Sequence, residues 1–257
     1  MNELTGEWIL NHAFTLLMVV ARVAPVFAML PGLGEATVPA VTKAGLALTL
    51  TILLIPLIEG SLPSRPTHEL SLALMIATEI GNGLWFGWLA RLLTSSLPMA
   101  GQFIASFTGL ANVLQPSPEM GSQTTAVARL YEIAVPTLIL SSGLYTEPLR
   151  ALIGFYRLVP PGTAVFSSDS AILTVSMVAE SFDLALRLAA PFVLAAVAWN
   201  VAIGLLSRMV PRLQIFFVAA PGQIGVGLLL LAAVAAPLTG AWMSAMHVGF
   251  GDLPGIR

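Results

Sequence analysis

Residues 171–206 read AILTVSMVAESFDLALRLAAPFVLAAVAWNVAIGLL, a run of 36 in which the first glycine is Gly204. As a single helix this run would extend about 54 Å at about 1.5 Å per residue, well beyond the roughly 30 Å hydrocarbon core of a bilayer. It has to tilt, bend near Pro191, or project into water. The same composition holds along the chain: 57% of its 257 residues are hydrophobic and 9% are charged, against about 25% charged in soluble domains. With a mean hydropathy of +0.89, the apolar surface exceeds what one globular core of this size covers, so lipid must solvate much of it. The expected class is all-α: a polytopic membrane protein of about six long, partly broken helices arranged as hairpins, with a re-entrant loop in mid-chain.

Upstream of that run, lengths of about 20 apolar residues mark further spans. Ile9 to Leu30 is ended by Pro31-Gly32-Leu33-Gly34, and Val38 to Ile58 by the polar run Glu59 to Glu69. Leu70 to Leu97 contains Gly83-Leu84-Trp85-Phe86-Gly87, a spacing of small residues that admits a second helix closely. Pro98 to Leu114 is shorter, is expected to break at Gly101 and Gly109, and runs into Gln115-Pro116-Ser117-Pro118-Glu119-Met120-Gly121, where two nearby prolines exclude a continuous helix. A half-length helix feeding a loop is expected there. Ala126 to Leu144 is again apolar, and Tyr145 to Ser170, with Glu147, Arg150, Arg157, Asp169 and Pro160-Pro161, reads as interfacial.

Downstream, Leu213 to about Val248 forms the last span, with breaks expected at Pro221-Gly222 and Pro237. The whole chain, 1–257, is expected to form one membrane domain: N-terminal helices over 1–170 with the loop at about 106–122, then a long helical hairpin over 171–257. The first residues are acidic where a secretory signal would be basic, so the first apolar segment is expected to stay attached. Arg208 and Arg212 flank the last turn, a placement that the positive-inside rule associates with a cytoplasmic loop, but Lys and Arg are few and spread along the chain and leave both orientations open.

Arg22, Glu79, Arg91, Glu132, Glu180, Asp183 and Arg187 fall inside the apolar segments. Facing lipid, each would cost roughly 2.5 to 3.5 kcal/mol, so they should face protein or water. Two readings stay open: structural pairing, for which Asp183 and Arg187 have helical i,i+4 spacing with Glu180 one turn earlier, or the lining of an aqueous path. His12 and His247 lie near segment ends, and Trp8 and Trp242 read as interface anchors.

Catalytic patterns are missing. His68-Glu69 opens like a zinc-protease motif, but Leu72 stands where the second His belongs. There is no Gly-x-Ser elbow and no phosphate-binding Gly-x-x-x-x-Gly-Lys, so no enzyme activity, cofactor or metal is expected. With a formal net charge of −2 and no basic block to follow a phosphate backbone, no nucleic-acid partner is expected, and zero cysteines exclude disulfides and thiolate metal sites.

The C-terminal third carries a more specific pattern. After Pro191 come Asn200-Val201-Ala202-Ile203-Gly204, Arg208, and Pro211-Arg212-Leu213-Gln214-Ile215-Phe216 leading to Pro221. This resembles the FliR family of type III export-gate subunits, whose Pro-x-Leu-Asn-x-Phe turn is matched except for Gln214 in place of Asn. Gly101-Gln102, Gly109-Leu110-Ala111 and the Pro118 loop resemble the family's middle region, with Thr108 for the usual Met and Ser117 where Asp is common. Arg22-x-x-Pro25 agrees near the N-terminus, so the resemblance spans nearly the whole chain.

That resemblance implies an export-gate subunit of the bacterial inner (cytoplasmic) membrane, at the flagellar basal body. One R subunit assembles there with P and Q subunits and the associated B subunit into a pore for unfolded flagellar proteins. It also implies a plug that closes the pore, carried over by position to Phe107, Leu110, Val113 and Leu114, with Pro116 and Pro118 shaping the loop. Irregular backbone at membrane depth is tolerated only inside protein or along a cavity, and an apolar segment excludes water and ions there. An ordinary re-entrant turn is the plain alternative for this loop. The competing functions are a proton- or cation-coupled small-molecule transporter using Glu79, Glu132, Glu180 and Asp183, and a membrane scaffold with no conducting role.

Overall fold

The computed structural model describes residues 2–113, 124–209 and 215–256. Among them the structure is helical, with no strand. In chain order the helices are α1 (Asn2–Met29), α2 (Ala40–Ile58), α3 (Glu69–Thr94), α4 (Ser96–Thr108), α5 (Leu110–Val113), α6 (Ala126–Ser142), α7 (Thr146–Leu158), α8 (Ser168–Met209) and α9 (Ile215–Gly251). Among the described residues five stretches are long and apolar enough to cross a membrane, or up to six if α6 and α7, bent by 77° at their short break, make one span. A polytopic helical membrane protein follows. The half-length helix before the Pro116/Pro118 run is α4, with the single turn of α5 behind it.

Three local expectations need correction. α4 runs unbroken through Gly101, so the break expected there does not occur: a single glycine inside a helix keeps its backbone hydrogen bonds, and here it admits α6 closely. The stretch read as merely interfacial contains α7, because its buried residues Pro148, Ala151, Leu152, Phe155 and Tyr156 recur at i, i+3, i+4, i+7 and i+8. That is the period of an amphipathic helix. The breaks expected at Pro221-Gly222 and Pro237 do not occur: α9 is one helix of 37 residues through both prolines. α8 likewise runs 42 residues through Pro191. A proline removes one backbone hydrogen bond, and in apolar surroundings a helix keeps its remaining bonds because no water is there to replace them.

The chain forms two compact units. The first comprises Met1–Leu93, Ile139–Met177 and His247–Arg257. Val23, Val26, Phe86, Leu89, Leu152 and Phe155 are fully enclosed in it, and the Phe86 and Phe155 rings lie 5.2 Å apart. The Gly83/Gly87 spacing is where α1 meets α3. A Cβ at Gly83 would run into the Arg22 carbonyl oxygen, and one at Gly87 would lie 2.7 Å from Met29 Cβ.

The second unit comprises Thr94–Leu138 and Val178–Met246. α4 and α6 approach across Gly101, where a Cβ would lie 2.9 Å from Ala128 Cα. Thr125 starts α6: its Oγ1 accepts from Ala128 N–H at 3.3 Å and donates to Gln102 Oε1 at 3.0 Å. Trp242, expected at an interface, is instead fully buried, its Nε1–H donating to Ser96 Oγ at 3.1 Å. Distance from a segment end does not reveal which face of a helix a residue takes, and this face turns into the protein. Elsewhere large apolar side chains point outward, among them Ile52 and Leu53 of α2, Leu194 and Leu205 of α8, and Leu229 of α9. These faces find their solvent in lipid or in other chains.

Candidate functional site

The charges inside apolar helices are handled in two ways. In the first unit, Arg22 on α1 and Glu79 on α3 are both completely buried and form a bidentate pair, Nε to Oε2 at 2.6 Å and Nη2 to Oε1 at 3.0 Å. Arg22 Nη1 also donates to the Val159 carbonyl at 2.7 Å, and Glu79 Oε1 accepts from Gly162 N–H at 2.7 Å. The Tyr156 ring lies 4.3 Å from the guanidinium carbon. One turn along α3, Asn82 donates to the Thr163 carbonyl at 2.8 Å and accepts from Val165 N–H at 3.0 Å.

These bonds fasten the segment after α7. Pro160-Pro161-Gly162-Thr163 closes on itself, Thr163 N–H donating to the Pro160 carbonyl at 3.1 Å, with Gly162 at φ +88°. Proline second and a positive-φ glycine third is the pattern of a type II turn. A planar fork, a carboxylate and two backbone groups thus satisfy one another where water does not reach.

In the second unit the charges lie outside. Asp183 and Arg187 of α8 pair at 2.7 Å with side chains 59% and 76% exposed, and Arg129 and Glu132 of α6 pair at 2.7 Å. Glu180 is exposed and makes no ion pair among the described residues. Arg91, in the first unit, reaches Glu35 at 3.9 Å. Among the described residues no three His, Asp or Glu side chains gather as metal ligands would.

Of the residues assigned to the plug, Phe107 is 38% exposed near the end of α4 and Leu110 is buried at the start of α5. Gly109 separates the two helices in the left-handed conformation, φ +77°, which glycine adopts without a Cβ penalty. Val113 is the last residue of α5. Leu114, Pro116 and Pro118 lie outside the described residues.

Residues around this junction that the sequence did not single out are Gln223 and Gly227 of α9. Gln223 Nε2 donates to the Phe107 carbonyl at 3.0 Å, and with Phe192 and Trp199 these residues line a small apolar recess beside Thr108. The available signal was the amide itself, the only Asn or Gln in α9.

Comparison with known proteins is consistent along the chain. The family described as "Bacterial export proteins, family 1" matches residues 13–248. The flagellar biosynthetic protein FliR of Caulobacter vibrioides is 33% identical over 88% of this chain and 90% of its own length. FliR of Escherichia coli is 27% identical over 91% and 89%. Yop proteins translocation protein T of Yersinia pestis is 26% identical over 88% and 87%.

Proposed function

This chain belongs to the bacterial export proteins, family 1, the family of FliR, and from that premise we propose that its segment at about 106–122 is the closing element of a protein-conducting gate. The chain is a membrane-embedded subunit of a type III protein export apparatus and works with other components of that apparatus. We read the apparatus as flagellar, since 33% identity to a FliR exceeds the 26% to the Yersinia translocation protein. Its place is then the bacterial inner membrane at the basal body, and its partners are the P, Q and B subunits, exported flagellar proteins in transit, and lipid. The chain acts as one membrane domain, 1–257, without catalysis of its own. The relatives do not favour a small-molecule transporter.

The observation that carries the closing element is the break at Gly109. α4 stops there in a left-handed residue, and the chain continues through Leu110 toward a stretch holding Pro116 and Pro118. An apolar segment interrupted in this way displaces water and ions at rest, yet it lacks the continuous helix that would resist a passing polypeptide.

Deleting Leu110 to Met120 is the test. The assembled gate should then leak potassium at rest while still recovering its partner subunits in stoichiometric amounts from mild detergent. A deletion that leaves the resting membrane tight refutes the closing role; a chain that purifies alone refutes the shared assembly.

A further inference from the structure

α9 contains no Asp, Glu, Lys or Arg, and Gln223 is its only side-chain amide. An amide on so apolar a helix is costly unless it is bonded. Gln223 spends its N–H on the Phe107 carbonyl, at 3.0 Å. That carbonyl is one of the last four of α4, which a helix does not satisfy internally. A side chain from one helix therefore caps the C-terminal end of another.

Two further contacts concentrate on the same three residues. At Gly227, one turn along α9, a Cβ would lie 2.6 Å from Thr108 Cβ, so this approach depends on glycine. At Gly109 the vacant Cβ position lies 3.8 Å from Gln223 Cδ, and φ is +77°. Residues 107–109, where the chain leaves α4 for the proposed closing segment, are thus held by the single turn 223–227.

We propose that Gln223 is a positioning residue of the gate: its amide latches the Phe107 carbonyl and holds the root of the closing segment against α9, so that loss of the donor raises the open fraction at rest. The inference rests on the reading of 106–122 as the closing element. It adds the residue that keeps that element shut.

The experiment follows potassium efflux from vesicles carrying the complete gate. Gln223→Met keeps length and apolar packing but removes the donor; efflux should rise about fivefold, the equilibrium shift of one lost hydrogen bond, yet stay below that of the 110–120 deletion. Gln223→Lys restores a donor and should return efflux toward the parent value. Equal leaks from Met and Lys overturn the latch, because donation would then not be the cause. A tight Gln223→Met gate beside a leaky deletion overturns the latch and leaves the closing segment standing, whereas tightness in both brings down both. If Gln223→Met fails to assemble, Gly227→Ala, which drives Thr108 off α9, decides by the same readout: a leak supports the latch and a tight gate overturns it.

Discussion

Arg22 with Glu79 and Asp183 with Arg187 are chemically the same kind of pair, a guanidinium on a carboxylate within apolar helices, yet the protein encloses the first and leaves the second outside. The enclosed pair joins residues 57 apart in sequence and takes two backbone groups into its network. The outer pair joins residues four apart on one helix and recruits nothing else among the described residues. Sequence separation accounts for the difference. A pair that bridges α1 and α3 fixes tertiary structure and can be isolated from water; a pair within one helix turn fixes nothing beyond that turn and needs a polar surrounding of its own.

The strongest way to break this comparison is to remove one enclosed partner. Arg22→Met leaves the Glu79 carboxylate buried and uncompensated, and should cost about 3–5 kcal/mol. The folded chain should be recovered poorly, with its melting temperature in detergent sharply lowered. Replacing both residues by Met should be less damaging than Arg22→Met alone, because no orphan charge remains. If the double variant is the worse of the two, the fastening of Val159 and Gly162 outweighs the electrostatics. An Arg22→Met chain as stable as the parent would show that the pair does not secure the first unit.

Trp242 extends the comparison to the second unit, which has an enclosed polar contact of its own. Trp242→Phe removes both the indole N–H to Ser96 and part of a fully buried side chain. A loss of about 1–2 kcal/mol is expected from one hydrogen bond and a small cavity, read as a lowered unfolding midpoint in detergent. No change would mean that the second unit relaxes around the smaller ring.

Where the sequence was informative, the signal was local. The apolar lengths located α2, α3 and α6 to within a few residues and the end of α1 to one, while α1 starts seven residues before the expected Ile9, because its first turns carry the polar residues Asn2, Glu3 and Glu7; the small residues at Gly83 and Gly87 marked a close helix approach. α7 was legible in principle from the spacing of Pro148, Ala151, Leu152, Phe155 and Tyr156, but the charged residues Glu147, Arg150, Arg157 and Asp169 in and around it pointed to solvent instead. The pairing of Arg22 with Glu79 was not legible, because nothing in either local sequence names a partner 57 residues away. Pro221 and Pro237 misled because propensities measured in water overstate how far proline interrupts a helix in apolar surroundings. At the candidate site, Gly109 announced the break that ends α4, while the contact of Gln223 with Phe107 depends on packing between α4 and α9.

The smallest expected effect is also the most discriminating. Asp183→Asn breaks an exposed i,i+4 pair, and such pairs contribute about 0.3–0.5 kcal/mol, so the chain in detergent should unfold at nearly the parent temperature. In lipid or inside an assembly the same change acts on a different balance. There Arg187 would lose its neighbour in surroundings that do not hydrate it, which costs far more than in water. Recovery of partner subunits with Asp183→Asn therefore separates two surroundings for this face of α8. Undiminished recovery means that the pair meets water after assembly, as an aqueous lumen or the membrane surface would provide. A marked loss, against an unchanged melting temperature for the chain alone, means that another subunit covers it. That outcome would sharpen the contrast with Arg22 and Glu79: one unit completes its ion pair within a single chain, and the other leaves completion to assembly.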